Sequence, residues 1–175
     1  MAFDPQPTLT GTLVQLRPLR PDDFEALYAA ASDPLIWEQH PESIRYTRPV
    51  FQKYFDGALA SGGAFVVIDR ANGHIIGSTR YYEYKPGPPS QIEIGYTFLQ
   101  RAYWGGRYNG EMKRLLVAHA LQSLDRVVFR AGENNQRSRH ALEKIGARLV
   151  GPVDRPAQDG SVNLLYEITR GTVAS

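Results

Sequence analysis

The sequence has no cysteine. That absence excludes structural disulfides, thiolate metal sites and a cysteine nucleophile, so no acyl-cysteine can form on this chain. It has no apolar run approaching the ~18 residues that a membrane helix needs. Its opening residues, MAFDPQPTLTG, carry no basic region followed by an apolar one, and a soluble, cytoplasmic protein is the expectation. Charge of one sign is also lacking. The formal net charge is +2, too small to draw nucleic acid or an acidic membrane by bulk electrostatics. The four histidines, His40, His74, His119 and His140, have no metal-ligand spacing, and no metal is expected. No repeat, low-complexity tract or linker interrupts the 175 residues, which suit one domain with an ordered core over about residues 10–170.

What the chain does have is a strand, a glycine-bearing turn and a helix in succession, from Gln91 to Leu124. Alternation sets Ile92, Ile94, Tyr96 and Phe98 on one face of the strand and Glu93, Gly95, Thr97 and Leu99 on the other. Gly105, Gly106 and Gly110 follow, where missing side chains let a ligand approach the backbone. From about Tyr108, Met112, Leu115, Leu116, Ala120 and Leu124 recur at helical spacing. The first amides of such a helix have no intrahelical partner and its dipole favours negative charge, so the segment suits an anion. A nucleotide P-loop requires Lys-Ser or Lys-Thr after its last glycine, and here Gly110 precedes Glu111-Met112. A dinucleotide fingerprint requires G-x-G-x-x-G, which these three glycines do not make. A nucleotide-phosphate protein is therefore disfavoured.

Two blocks resemble a known family. Glu93-Ile94-Gly95-Tyr96 followed by Tyr103-Trp104-Gly105-Gly106-Arg107-Tyr108-Asn109-Gly110-Glu111 is similar to motif A of the GCN5-related N-acetyltransferase (GNAT) superfamily, in its RimJ/RimL-like branch of ribosomal-protein-alanine acetyltransferases. One helix and one strand later, Asn134-Asn135-Gln136-Arg137-Ser138 through Lys144-Ile145-Gly146-Ala147 resembles the superfamily's N-x-x-S-x-x-x-x-x-K-x-G segment. In this register the two small positions of the core pattern fall on Arg107 and Asn109. The resemblance implies an α/β fold: a single mixed, mostly antiparallel sheet of about six or seven strands with helices on both faces. It implies acetyl-CoA as co-substrate, a primary amine as acceptor, and direct transfer in a ternary complex.

The rest of the chain fits that plan. A first strand runs from Thr12 to Leu19, and Pro21-Asp22-Asp23-Phe24 is a helix start with Pro in the first turn. Leu35 to Arg48 reads as irregular. Thr47 would cap a helix reaching Leu59, striped by Val50, Phe51, Tyr54 and Phe55. Ala64 to Ile68 and Ile75 to Tyr82 make a hairpin across Asn72-Gly73. Arg126 to Arg130 is a short strand, and Ala147 to Val153 pairs with Val162 to Thr169 across Asp159-Gly160. That last hairpin could pair with another subunit, giving a homodimer.

Transfer from a thioester to an amine needs a base for the amine proton and donors for developing negative charge. Glu93 is the candidate base, the other reading being a solvated or ion-paired strand glutamate. Ser138 lies on the stripe of Ala141, Leu142 and Ile145. By itself it reads as an inward hydroxyl bonded to a backbone carbonyl; the resemblance makes it the acid that protonates the departing sulfur. Asn135 is a helix cap and, by resemblance, a contact to the pantetheine arm. Tyr96, Phe98 and Leu99 would border pantetheine. Trp104, Gly105, Gly106, Arg107, Tyr108, Asn109 and Gly110 would hold the pyrophosphate, with Arg107 as a charged donor. Trp37, His40, Tyr46 and Tyr82 are candidates for acceptor contact, or else local packing residues. The reading is an acetyl-CoA-dependent N-acetyltransferase acting on a protein N-terminus or a small amine. The alternative is a non-catalytic acyl-CoA-binding or sensing module on the same scaffold.

Overall fold

The computed structural model describes residues 2–157 and 160–172. Its strands are β1 (Leu9–Thr10), β2 (Val14–Pro18), β3 (Ala64–Asp69), β4 (Ile75–Lys85), β5 (Gln91–Leu99), β6 (Arg126–Gly132), β7 (Arg148–Val153) and β8 (Asn163–Thr169). They form one eight-stranded sheet in the order β1-β2-β3-β4-β5-β6-β8-β7. Sequence reading gives six or seven strands; the two-residue β1, pairing Leu9 with Leu16, is too short to show alternation. The helices are α1 (Phe24–Ala31), α2 (Pro34–Trp37), α3 (Arg48–Ser61), α4 (Arg107–Leu121) and α5 (Gln136–Lys144). The sheet is mixed. β5 and β6 are parallel, a pairing that needs a crossover such as α4, whereas β2–β3, β3–β4, β6–β8 and β7–β8 are antiparallel.

By contacts the chain resolves into two compact units. One comprises Asp4–Tyr81 with Tyr96–Leu115, the other Tyr82–Gly95 with the residues from Leu116 onward and the first few of the chain. Because β4, β5 and α4 each pass from one to the other, neither unit is a contiguous stretch of sequence.

In the first unit α1, α2 and α3 bury Leu27, Trp37, Phe51 and Phe55 in a cluster with Val66 and Phe98. Asp23 fixes the approach to α1: its carboxylate accepts the Arg20 amide at 2.8 Å and pairs with Arg17. The segment from Leu35, irregular by sequence, begins as the short α2. Asp33 accepts the Leu35 amide at 3.0 Å and Pro34 takes the first position. Thr47 precedes α3 as expected, but its hydroxyl does not cap the helix. It donates instead to the Ile44 carbonyl at 2.8 Å. Gly62, with φ of 68°, ends α3 in the left-handed conformation that glycine takes at least cost.

The β3–β4 hairpin turns at Gly73, also left-handed, whose amide donates to the Asp69 carbonyl. β5 departs from strict alternation. Tyr96 has φ of 55° and is 47% exposed, whereas Ile92, Ile94 and Phe98 are buried. A left-handed residue inside a strand breaks the two-residue period, which is why Tyr96 leaves the apolar face assigned to it by sequence.

The second unit packs β6 and β8 through Val127, Phe129, Tyr166 and Ile168, with Leu142 of α5 also buried. β7 is an edge strand with Leu149 and Val150 exposed. Of the residues assigned to its turn, Asp159 lies outside the described residues. Gly160 donates to the Ala157 carbonyl at 2.9 Å. No helix among the described residues is long and apolar enough to cross a membrane.

Candidate active site

The glycine turn sits in the first unit. After β5 the chain makes a 3-10 turn at Arg101–Tyr103 and passes Trp104. Gly105 and Gly106 have φ of 116° and 99°, and Arg107 opens α4. The first helical bond runs from the Gly110 amide to the Gly106 carbonyl at 2.8 Å. The amides of Arg107, Tyr108 and Asn109 therefore have no acceptor among the described residues. A Cβ at Gly105 or Gly106 would meet nothing within 4 Å. These glycines serve their backbone angles, and the space before the turn is open. Arg107 and Asn109, which occupy the small positions of the family pattern, are the first and third residues of the helix, and Arg107 is exposed. The turn is formed with those side chains in place.

Its walls are braced by polar contacts. Trp104 donates its indole N–H to the Leu99 carbonyl at 2.9 Å. The Tyr103 hydroxyl donates to Asp69 at 2.7 Å, and its ring meets Tyr108 edge-on with centroids 4.9 Å apart. Glu111 accepts the Leu13 amide through both carboxylate oxygens, at 3.0 and 2.9 Å, tying α4 to the segment leading into β2.

Of the three residues expected beside pantetheine, Phe98 and Leu99 are core side chains and only Tyr96 is open. The Tyr96 carbonyl accepts the Tyr54 hydroxyl at 2.7 Å, and the Arg80 guanidinium lies 3.9 Å from its ring centroid. Trp37 is buried and donates to the Ala31 carbonyl at 2.8 Å, so its ring is part of the core. His40 sits edge-on to Trp37, and its Nδ1 accepts the Glu42 amide at 2.9 Å. Burial, then the charge of Arg45, lowers its pKa to about 4, so at neutral pH it is an uncharged imidazole with Nε2 protonated. Tyr46 is half-buried, and its carbonyl accepts the Tyr28 hydroxyl at 2.9 Å.

In the second unit Glu93 is 1% exposed. It is shielded from solvent and ion-paired with Arg130. It accepts a short hydrogen bond from the Tyr82 hydroxyl, while Arg130 Nε stands 3.2 Å from its other oxygen, a nitrogen that makes no aligned hydrogen bond. Burial pushes the Glu93 carboxyl above the usual carboxylate range; the Tyr82 hydroxyl and Arg130 oppose that rise. Gly95 makes the arrangement possible. A Cβ there would meet Tyr82 Cε1 at 2.9 Å and its hydroxyl at 3.0 Å, so only glycine lets the phenol lie across the strand. Tyr82, expected as an acceptor contact, is thus the hydroxyl partner of Glu93.

Asn135 caps α5, its Oδ1 accepting the Ser138 amide at 3.2 Å. The Ser138 side chain is half-buried, and its hydroxyl makes no hydrogen bond among the described residues. The expected bond to a backbone carbonyl is not made, and the hydroxyl is open to a ligand.

Sequence reasoning missed Arg130 and Arg45, and took Tyr54 only as part of the apolar stripe of α3. Arg130 had a signal, since it follows Val128 by one strand period and Val128 is the register partner of Glu93. Arg45 had none, because its segment shows no periodicity.

A sequence profile described as an acetyltransferase (GNAT) domain matches residues 14–148. A GCN5-related N-acetyltransferase from Brucella melitensis superposes with a TM-score of 0.82 at 23% identity, covering 95% of this chain and 80% of that one. A GNAT-family acetyltransferase from Bacillus anthracis gives a TM-score of 0.77 at 20% identity, over 93% and 98%. The RimJ protein of Mycobacterium smegmatis, solved with CoA-disulfide, gives 0.71 at 22% identity, over 97% and 90%. At these identities the likeness to the solved structures speaks for the fold, and the profile match for the family.

Proposed function

We propose, from the premise that the chain belongs to the acetyltransferase (GNAT) family, that it moves the acetyl group of acetyl-CoA directly to a primary amine. Two chemical demands have matching groups. The open glycine turn and the unpaired amides of Arg107, Tyr108 and Asn109 suit a pyrophosphate, with Arg107 adding a charged donor. Glu93 suits the base. As the amine nitrogen bonds to the acetyl carbon and the carbon–sulfur bond breaks, one proton leaves the amine and one reaches sulfur. Glu93 would take the first, directly or through water, and the Ser138 hydroxyl would supply the second. The E-I-G-Y and Y-W-G-G-R-Y segments favour the RimJ/RimL-like branch and an N-terminal amine, or a small amine in its place.

The single observation carrying this reading is Glu93 itself: a buried carboxyl with raised proton affinity, set between Arg130 and a Tyr82 hydroxyl that lies across Gly95. Such tuning is a usual property of a base working near neutral pH. Thermal unfolding with acetyl-CoA, CoA or ATP at equal excess tests the binding half. A ligand at a hundred times its Kd stabilises the native state by about 2.7 kcal/mol. Acetyl-CoA and CoA are expected to raise the Tm and ATP to leave it unmoved. No shift with either CoA species would sink the reading.

A further inference from the structure

Arg45 is an unexplained cation. Its Nε is buried without a hydrogen-bond partner, and among the described residues its side chain makes no hydrogen bond and no ion pair with a carboxylate. A buried guanidinium normally recovers its lost hydration from a carboxylate or from several carbonyls. Arg45 instead has aromatic faces: its guanidinium lies 4.7 Å from the Tyr54 ring centroid and 5.2 Å from that of Trp37. The guanidinium of Arg80 lies within 5.7 Å of the same Tyr54 ring, so two cations flank one phenol. Burial lowers the proton affinity of Arg45 and the charge of Arg80 adds to that, while Tyr54 and the carboxylate of Glu42 oppose it. Nearby, His40 adds a neutral imidazole. Lying over the Tyr54 and Trp37 rings, the Arg45 guanidinium keeps its donors for an oxygen anion, whereas the buried Arg80 turns one nitrogen to the Tyr54 carbonyl at 3.5 Å.

We infer that Arg45 receives the carboxylate of the acceptor, so that the substrate is a small amine carrying its own carboxylate, of the amino-acid class. The inference rests on the acetyltransferase reading and sharpens it. The fork of Arg45 matches a planar carboxylate in bidentate fashion. A protein N-terminus offers an amide carbonyl at the equivalent distance from its amine, and an uncharged oxygen would make no ion pair with Arg45. Tyr54 ties the arrangement to β5, since its hydroxyl is spent on the Tyr96 carbonyl.

The test is a paired acceptor panel with acetyl-CoA: the free amino acids, their carboxamides, and dipeptides. Acetyl-CoA binding is followed separately by thermal shift. The expected result is turnover of at least one free amino acid, with its carboxamide poorer by roughly ten- to a hundredfold in kcat/KM, the range of a charge-assisted hydrogen bond. Arg45→Gln should abolish that discrimination, and Arg45→Lys should restore part of it, with the acetyl-CoA shift unchanged in both. If acetyl-CoA binds but acids and amides react alike, or only dipeptides react, or none of the panel reacts, the carboxylate inference is wrong and the acetyltransferase reading stands. Discrimination that survives in a folded Arg45→Gln protein would also overturn it. If acetyl-CoA produces no shift, the reading beneath it fails and the inference goes with it.

Discussion

Two glutamates flank Val128 across the sheet, Glu93 on β5 and Glu167 on β8, each in register with it. Register partners share a face, so the two carboxyls lie about two strand spacings apart, roughly 10 Å, on the same side of β6. Both are buried and both have arginine neighbours. Glu167 accepts from Arg126 at 2.9 Å and from Arg148 at 2.8 Å, and those bonds hold its carboxyl below the usual range. Glu93 has one hydroxyl and one poorly aligned guanidinium, and burial raises its carboxyl instead. What separates a structural carboxylate from a candidate base here is neither residue type nor depth. It is the number of aligned charged donors. Arg126 spends its remaining nitrogens on the neutral Gln91, at 2.9 and 2.6 Å, so that guanidinium is not given to Glu93.

The comparison breaks most sharply in activity. Glu93→Gln should lower kcat/KM by about 10²–10⁴-fold, as removal of a general base does, while the acetyl-CoA thermal shift persists. Unchanged turnover would return Glu93 to a packing role. Glu167→Gln should leave the rate nearly intact.

Stability should move the other way. Losing charge from the bonds to Arg126 and Arg148 should cost about 1–2 kcal/mol in Glu167→Gln, discounted because Arg148 is exposed. Glu93→Gln should match or exceed the wild-type Tm at neutral pH. A carboxyl whose proton affinity is raised by folding binds its proton more tightly in the native state. Its penalty therefore grows as pH rises above 4.5, the ordinary glutamate value, toward the folded value. For Glu167 the sign is opposite: its contribution is present above 4.5 and is lost as pH falls. Unfolding curves of both variants from acid to neutral pH should diverge accordingly. Parallel curves would show that the two carboxyls are equivalent.

The smallest effect is the most specific. Tyr82→Phe removes the hydroxyl that opposes the rise in Glu93, so the acid limb of the pH–rate profile should move to higher pH. An unmoved limb would detach the limb from Glu93 or Tyr82 from its tuning.

Much of this was legible in the chain. The glycine turn, the α5 cap at Asn135 and the strand carrying Glu93 could be read because turn chemistry and hydrophobic period are local signals. The tuning of Glu93 could not. It depends on Tyr82 and Arg130, which come from other strands, and on Gly95, whose lack of a Cβ matters only once the phenol is seen crossing it. Tyr96 was misassigned because alternation assumes an unbroken strand. Arg45 was invisible because what distinguishes it is a missing partner, and sequence spacing carries no record of one.

The left-handed backbone at Tyr96 has a bearing on which residues that position tolerates. A bulky side chain in this conformation costs of order 1–3 kcal/mol, a strain that glycine would relieve. A saturation library scored for folding alone should therefore enrich Gly, and then Asn, at position 96. A library scored for acetyl transfer should keep the aromatic ring against that gradient, because the ring carries the Arg80 guanidinium. The gap between the two enrichments would measure how much conformational ease the position gives up for its work.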